Sequence, residues 1–145
     1  MKKMNNKGFS LIELIIVIAI MAVLVAIIAP NLTKYLGSSK TKTDKKNADE
    51  IASQLQTCIT EYDTDQSTSL GTSIGTGTMN ITWNGRTATS SNPADTTFDG
   101  IVNANITSDT KSKENGSAAS ADITYNSTTK VYTITVTVGN ATATK

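Results

Sequence analysis

Histidine is absent from this 145-residue chain, and cysteine occurs once, at Cys58. Those two facts remove whole classes of chemistry. Without an imidazole there is no histidine general base and no histidine zinc ligand, and one thiol supplies neither a Cys–His nucleophile nor a metal cluster. A single cysteine also forbids an intrachain disulfide. The glycines form no phosphate-binding loop. Aromatic residues make up 5% of the chain, and its length allows one small core rather than two. These absences predict that the chain is not an enzyme and holds no cofactor.

What is present in quantity is apolar. The stretch KGFSLIELIIVIAIMAVLVAIIAPNL runs from Lys7 to Leu32, and no side chain from Leu14 to Ala29 is polar. Its one carboxylate is Glu13, near the start. At about 1.5 Å per residue, a helix from Leu11 to Leu32 spans roughly 33 Å, enough for the hydrocarbon core of a bilayer. The leader before it holds Lys2, Lys3 and Lys7 and no acid, so its loss would change the net charge from +1 to −2. From Asn47 onward there are 5 basic and 10 acidic residues. The basic leader is expected to stay cytoplasmic and the acidic part to be exported. An acidic head also argues against direct nucleic-acid binding.

Gly8, Phe9, Ser10 and Glu13, with the apolar run behind them, closely resemble the start of a type IV prepilin, whose signal reads Gly-Phe-[Ser/Thr]-x-x-Glu. The resemblance covers roughly residues 1 to 60. It implies cleavage between Gly8 and Phe9 by a prepilin peptidase, N-methylation of Phe9, and assembly into a helical filament. A peptidase pocket that admits no side chain before the cut would demand Gly8. Many Gram-negative pilins staple a C-terminal loop with a cysteine pair, and this chain departs from that pattern. Two other readings compete. A secretory signal peptide has an apolar core of about 7–15 residues and an A-x-A-like site, whereas this run is longer and Ala29 is followed by Pro30 and Asn31. A plain membrane anchor would require neither Gly8, Phe9 nor an early glutamate.

Glu13 is the candidate assembly residue. A carboxylate inside a membrane segment costs about 2.5–3.5 kcal/mol at the helix centre and less near an end. Near the start of the mature helix it meets the positive end of the macrodipole. Cleavage would create an ammonium at Phe9, four residues away. The resemblance favours a pair between the Phe9 ammonium of one subunit and Glu13 of its neighbour, which would offset desolvation of both and set the axial register. The other arrangement pairs Glu13 with its own N-terminus.

Pro30 removes one helical hydrogen bond and crowds the carbonyl of residue 26, at a cost of about 3 kcal/mol, and Gly37 is a second soft point. The helix either ends near Ala29 or continues with a kink. Continuation is preferred because periodicity resumes, which makes Pro30 to Gly37 the candidate hinge. Ala48, Ile51, Ala52, Leu55, Cys58, Ile59 and Tyr62 share one helical face. Cys58 therefore reads as a small buried hydrophobe. Gly37 to Asn47 reads as polar on all sides. Its lysines Lys40, Lys42, Lys45 and Lys46 either face solvent or meet Asp49 or Glu50 of adjacent subunits.

Asp63 to Thr78 reads as a connecting loop. Asp63, Asp65, Ser67 and Ser69 loosely suggest a calcium loop, but Thr68 and Ile74 stand where glycine and glutamate are needed, so no metal is expected. Alternation at Met79, Ile81 and Trp83 predicts a strand, and Asn84-Gly85 a hairpin turn into Arg86 to Thr89. Val102, Ala104 and Ile106 predict a middle strand, and Ala121, Ile123 and Tyr125 another. After a turn at Asn126 to Lys130, the strongest and last strand carries Tyr132, Ile134, Val136 and Val138 on one face. Thr107 to Ser120 reads as an exposed loop. The sequons at Asn80, Asn105, Asn126 and Asn140 are of the kind an Asn- and Thr-rich chain yields by chance. The C-terminal residues show no LPxTG-like motif, which argues against a sortase-linked pilin.

Together these readings predict an α+β chain with the pilin fold. Its long N-terminal helix is kinked near Pro30, and the C-terminal half of that helix packs on a small antiparallel sheet. The expected parts are a cleaved leader (1–8), a transmembrane and filament-core helix (9–32), its amphipathic continuation (33–62) and a β-sheet head (63–145). The expected function is the structural subunit of a type IV pilus. It would start as a single-pass precursor in the cytoplasmic membrane with its head outside, then polymerise with copies of itself into an extracellular filament. Lipid tails are as apolar as another helix, so an assembly ATPase and a platform protein are expected to extract it. The alternatives are a pseudopilin of a type II secretion or competence machine, and a membrane-tethered binding domain that does not polymerise.

Overall fold

A computed structural model describes residues 9–145. The leader 1–8, Gly8 included, lies outside the described residues. The chain divides into two compact units, one ending at Ser38 and the other comprising Ser39–Lys145. The longest element, α1, runs Leu11–Asp65 with Pro30 inside it, so the helix does not end near Ala29. The side chains of Asn31 and Thr33 donate to the carbonyls of Ile27 and Ala29 at 3.3 and 3.0 Å, in the turn where proline withholds a donor.

In the second unit, the later part of α1 buries Ala48, Ile51, Ala52, Leu55, Cys58, Ile59 and Tyr62, the whole predicted stripe. The remaining elements are α2 (Leu70–Ile74), β1 (Thr78–Asn84), β2 (Thr87–Ser91), α3 (Thr96–Asn105), β3 (Ser120–Asn126), β4 (Val131–Val138) and β5 (Ala141–Thr144). The strands form one antiparallel sheet in the order β2-β1-β3-β4-β5. Its register aligns Met79 with Ile123 and Ile123 with Ile134, so one row of large apolar side chains crosses three strands. Each fully buried aliphatic contributes about 1.5–3 kcal/mol. The stripe and this inner face therefore supply the core.

Several expectations are corrected. Val102, Ala104 and Ile106 do not form a middle strand: residues Thr96–Asn105 are helix α3. Asp95 caps it, its Oδ1 accepting from the Thr97 and Phe98 N–H groups at 3.0 and 2.9 Å. Phe98 and Val102 are buried four residues apart, a helical spacing that overrides the alternation. The Asp63 to Thr78 segment is not all loop, since α1 reaches Asp65 and α2 sits within it. β4 is not the last strand; β5 follows through a turn with Gly139 at φ +61°. The first hairpin turn lies one residue later than expected. Asn84 pairs with Thr87, leaving Gly85-Arg86 as the loop. Gly85 has φ +65° and Arg86 is not left-handed, which is a type II′ arrangement rather than an Asn-Gly type I′ turn.

Two polar segments are also more ordered than expected. Gly37 to Asn47 is not solvated on all sides, because Asp44 and Asn47 are buried. The Thr107 to Ser120 segment buries Thr110, Ser112 and Ala119.

Candidate functional site

In the first unit, every large apolar side chain from Phe9 to Leu36 is exposed, Phe9 to 87%. This part of α1 is long and apolar enough to cross a membrane. Glu13 stands in its first turn. Its Oε2 accepts from the Ser10 N–H at 2.9 Å, satisfying a donor that the helix start leaves without a partner. Ser10-Leu-Ile-Glu13 is the Ser-x-x-Glu pattern of a capping box, so this bond was legible in the sequence although not read there. Phe9 lies two residues before the first residue of α1, and Pro30 and Gly37 lie inside the helix. Gly8, the expected processing residue, lies outside the described residues.

A second carboxylate on α1, missed in the sequence, is fully buried. Asp44 accepts from the Ser112 hydroxyl at 2.6 Å and from the backbone N–H groups of Lys113 and Glu114 at 2.6 and 3.1 Å. Burial opposes its charge, but these bonds and the nearby Lys113 outweigh that and hold the carboxyl below its ordinary range. Gly139 closes the pocket from the β4–β5 turn, where any side chain would run into Ser112 and crowd Asp44. The signal was present: the stripe extended one turn back from Ala48 reaches Asp44. The Thr107 to Ser120 segment is thus a strap fastened to the start of the packed helix.

Asp63, considered above for a calcium loop, braces the fold. It accepts from the Leu70 N–H at 2.7 Å and from the Tyr132 hydroxyl at 2.8 Å. Tyr132 in turn accepts from the Gly71 N–H at 2.7 Å. Burial, then the bond to Asp63, pushes the Tyr132 phenol upward. Cys58 is buried, and burial followed by the negative charge of Glu61 raises its thiol to about 11. It is a neutral core side chain at physiological pH. Of the lysines following the apolar run, Lys46 pairs with Glu50 of its own chain at 3.2 Å.

Comparison with known proteins bears on the N-terminal segment. The prokaryotic N-terminal methylation motif matches residues 3–29. A prepilin peptidase-dependent protein A of Clostridium perfringens is 43% identical over 60 residues, 41% of this chain and 43% of that protein. A ComG operon protein 3 homolog of Bacillus licheniformis is 37% identical over 62 residues, 43% of this chain and 60% of that protein. The type IV major pilin protein PilA of Myxococcus xanthus is 40% identical over 59 residues, 41% of this chain and 27% of that protein. The chain thus aligns with less than two thirds of the length of each of these relatives. No solved structure matches it significantly. The chain whose long apolar helix starts at Leu11, two residues after Phe9 and with Glu13 in its first turn, thus carries the prokaryotic N-terminal methylation motif and shares its N-terminal sequence with type IV pilin-like proteins.

Proposed function

We propose that this chain is the structural subunit of a type IV pilus. The observation that carries the proposal is an imbalance between the two units. The head has a core of its own, whereas among the described residues the apolar part of α1 up to Leu36 buries none of its large side chains. That surface needs lipid first and other copies afterwards. In this reading a prepilin peptidase cuts between Gly8 and Phe9 and Phe9 is N-methylated. The resulting ammonium then pairs with Glu13 of a neighbouring subunit. Glu13 uses Oε2 for its own helix start, and Oε1 is left for the neighbour. Pro30 to Gly37 serves as the hinge, and an assembly ATPase with a platform protein lifts the subunit from the membrane into the extracellular filament.

The relative named ComG operon protein 3 homolog favours a second reading, a pseudopilin that forms a short fibre. Abundance separates the two, since a major pilin is recovered in quantity from the surface by shearing. The test of assembly is Glu13→Ala beside Glu13→Lys in the native host. The account expects at least a tenfold loss of sheared filaments, with processed subunits retained in the membrane. Undiminished filaments in both variants would overturn the role of Glu13, and a wild-type chain never found in filaments would favour a tether.

A further inference from the structure

Where the β1–β2 turn meets the strap, the head carries two cavities that share Gly85, Thr110 and Lys111 in their linings. Both lie wholly within the unit Ser39–Lys145. The larger holds about 410 Å³, within the range of small-molecule sites, and Arg86 and Asp109 line it. The smaller holds about 160 Å³ and is lined by Trp83. Hydrogen bonds fix the walls of this cleft. The buried Thr110 hydroxyl donates to the Gly85 carbonyl at 2.7 Å, and the Trp83 backbone N–H donates to the Ala119 carbonyl at 3.4 Å. Lys111 bridges to Ala118, which closes the strap on itself.

The cleft has donors to spare. Trp83 is buried, and among the described residues its indole Nε1–H has no hydrogen-bond partner, a costly state for a donor away from water. The Arg86 guanidinium makes one long bond, 3.4 Å, to the Thr107 carbonyl. No carboxylate of the described residues forms an ion pair with Arg86 or Lys111. The one carboxylate lining the cleft is already engaged. Asp109 accepts from the Lys111 N–H at 3.0 Å through Oδ1, and its Oδ2 pairs with Lys113. Arg86 and Lys111 therefore leave the cleft net positive. A ligand carrying a carboxylate suits the planar guanidinium fork. Acceptors are present as well, in the Thr107 carbonyl and the Ser108 hydroxyl oxygen, and these suit a ligand that also bears hydroxyl groups.

We infer that this cleft binds an acidic sugar, a hexuronate unit, with its carboxylate on Arg86 and Lys111 and a sugar oxygen on the Trp83 Nε1–H. The site belongs to the head, so it stands whether the head is carried on a filament or on a tether. On a filament it repeats with every subunit, and many weak contacts then add up to firm attachment to an acidic polysaccharide.

Trp83 is the single tryptophan of the chain, so its fluorescence reports on this site alone. The full chain, in a zwitterionic detergent free of sugar, is titrated with glucuronate, and with glucose, acetate and N-acetylglutamate for comparison. Glucuronate is expected to change the emission saturably, and the other three to bind about fivefold more weakly. Arg86→Gln should raise the half-saturating concentration about tenfold and Lys111→Gln about threefold, at unchanged far-UV circular dichroism. Lys130→Gln, outside the cleft, should leave binding unchanged. Trp83→Phe keeps an aromatic side chain without the donor, and calorimetry should show binding weakened about threefold. No response to glucuronate overturns the inference, as does a response that survives Arg86→Gln undiminished. If Arg86→Gln fails to fold, Lys111→Gln carries the test, and unaltered binding there overturns the inference. An equal response to acetate or N-acetylglutamate overturns the assignment to a sugar, and undiminished binding by Trp83→Phe overturns the indole contact.

Discussion

Asp44 and Glu13 are carboxylates on the same helix in opposite surroundings. Glu13 is exposed in the apolar part with one backbone donor, whereas Asp44 is buried in the head with three donors. Hydrogen bonds to a charged group contribute about 1.5–3 kcal/mol each and leave unmet donors when removed. Asp44→Ala is therefore expected to destabilise the head by about 2–4 kcal/mol, measured by denaturant unfolding of the full chain in detergent. The sign of its pH dependence follows from the lowered pKa. The stabilisation is fully present above the ordinary value of 3.8 and is lost as pH falls through the lower folded value. Wild type and Asp44→Asn should thus differ in stability near neutrality and converge in acid below 3.8. A difference that persists unchanged in strong acid would contradict this. Cys58 gives a second residue-scale expectation. Its buried thiol, which faces the Ile101 carbonyl of α3, should resist maleimide in the folded chain and react once denaturant is added, and stoichiometric labelling of the folded chain would show that the core around it opens.

At the scale of elements, the amphipathic stripe was legible because seven side chains at helical spacing leave no other face to bury. The β3–β4 hairpin was legible for a similar reason: strict alternation continues through both strands. α3 was not, because Val102, Ala104 and Ile106 alternate by coincidence while the deciding signals lay upstream, in Asp95 and Phe98. The strap was hidden too, because its ordering depends on the distant Asp44. α3 also has a task that its own sequence does not announce. Asn103 accepts from the Ala88 N–H at 2.6 Å and donates to the Ala88 carbonyl at 3.2 Å, while Asp99 accepts from the Ser90 N–H at 2.7 Å. These side chains occupy backbone groups on the outer edge of β2, an edge that would otherwise pair with another chain. Asn103→Ala should cost about 1–2 kcal/mol and promote sheet-mediated association of heads. Unfolding followed through Trp83, the single tryptophan, together with light scattering, would detect both effects.

At the scale of the whole molecule, the chain is two things built on one continuous helical element, a self-sufficient head and an apolar helix that is incomplete alone. The N-terminal methylation motif was legible, because Gly8, Phe9 and Glu13 stand in fixed spacing against an apolar run. What covers the exposed helix was not, since a single chain does not contain its neighbours. The central claim is that this helix is trimmed and methylated to become the core of a surface filament. The most direct test is the intact mass of the protein recovered from sheared surface filaments. The account predicts the mass of Phe9–Lys145 plus one methyl group. An uncut chain retaining Met1–Gly8, or one cleaved near Ala29, would contradict it.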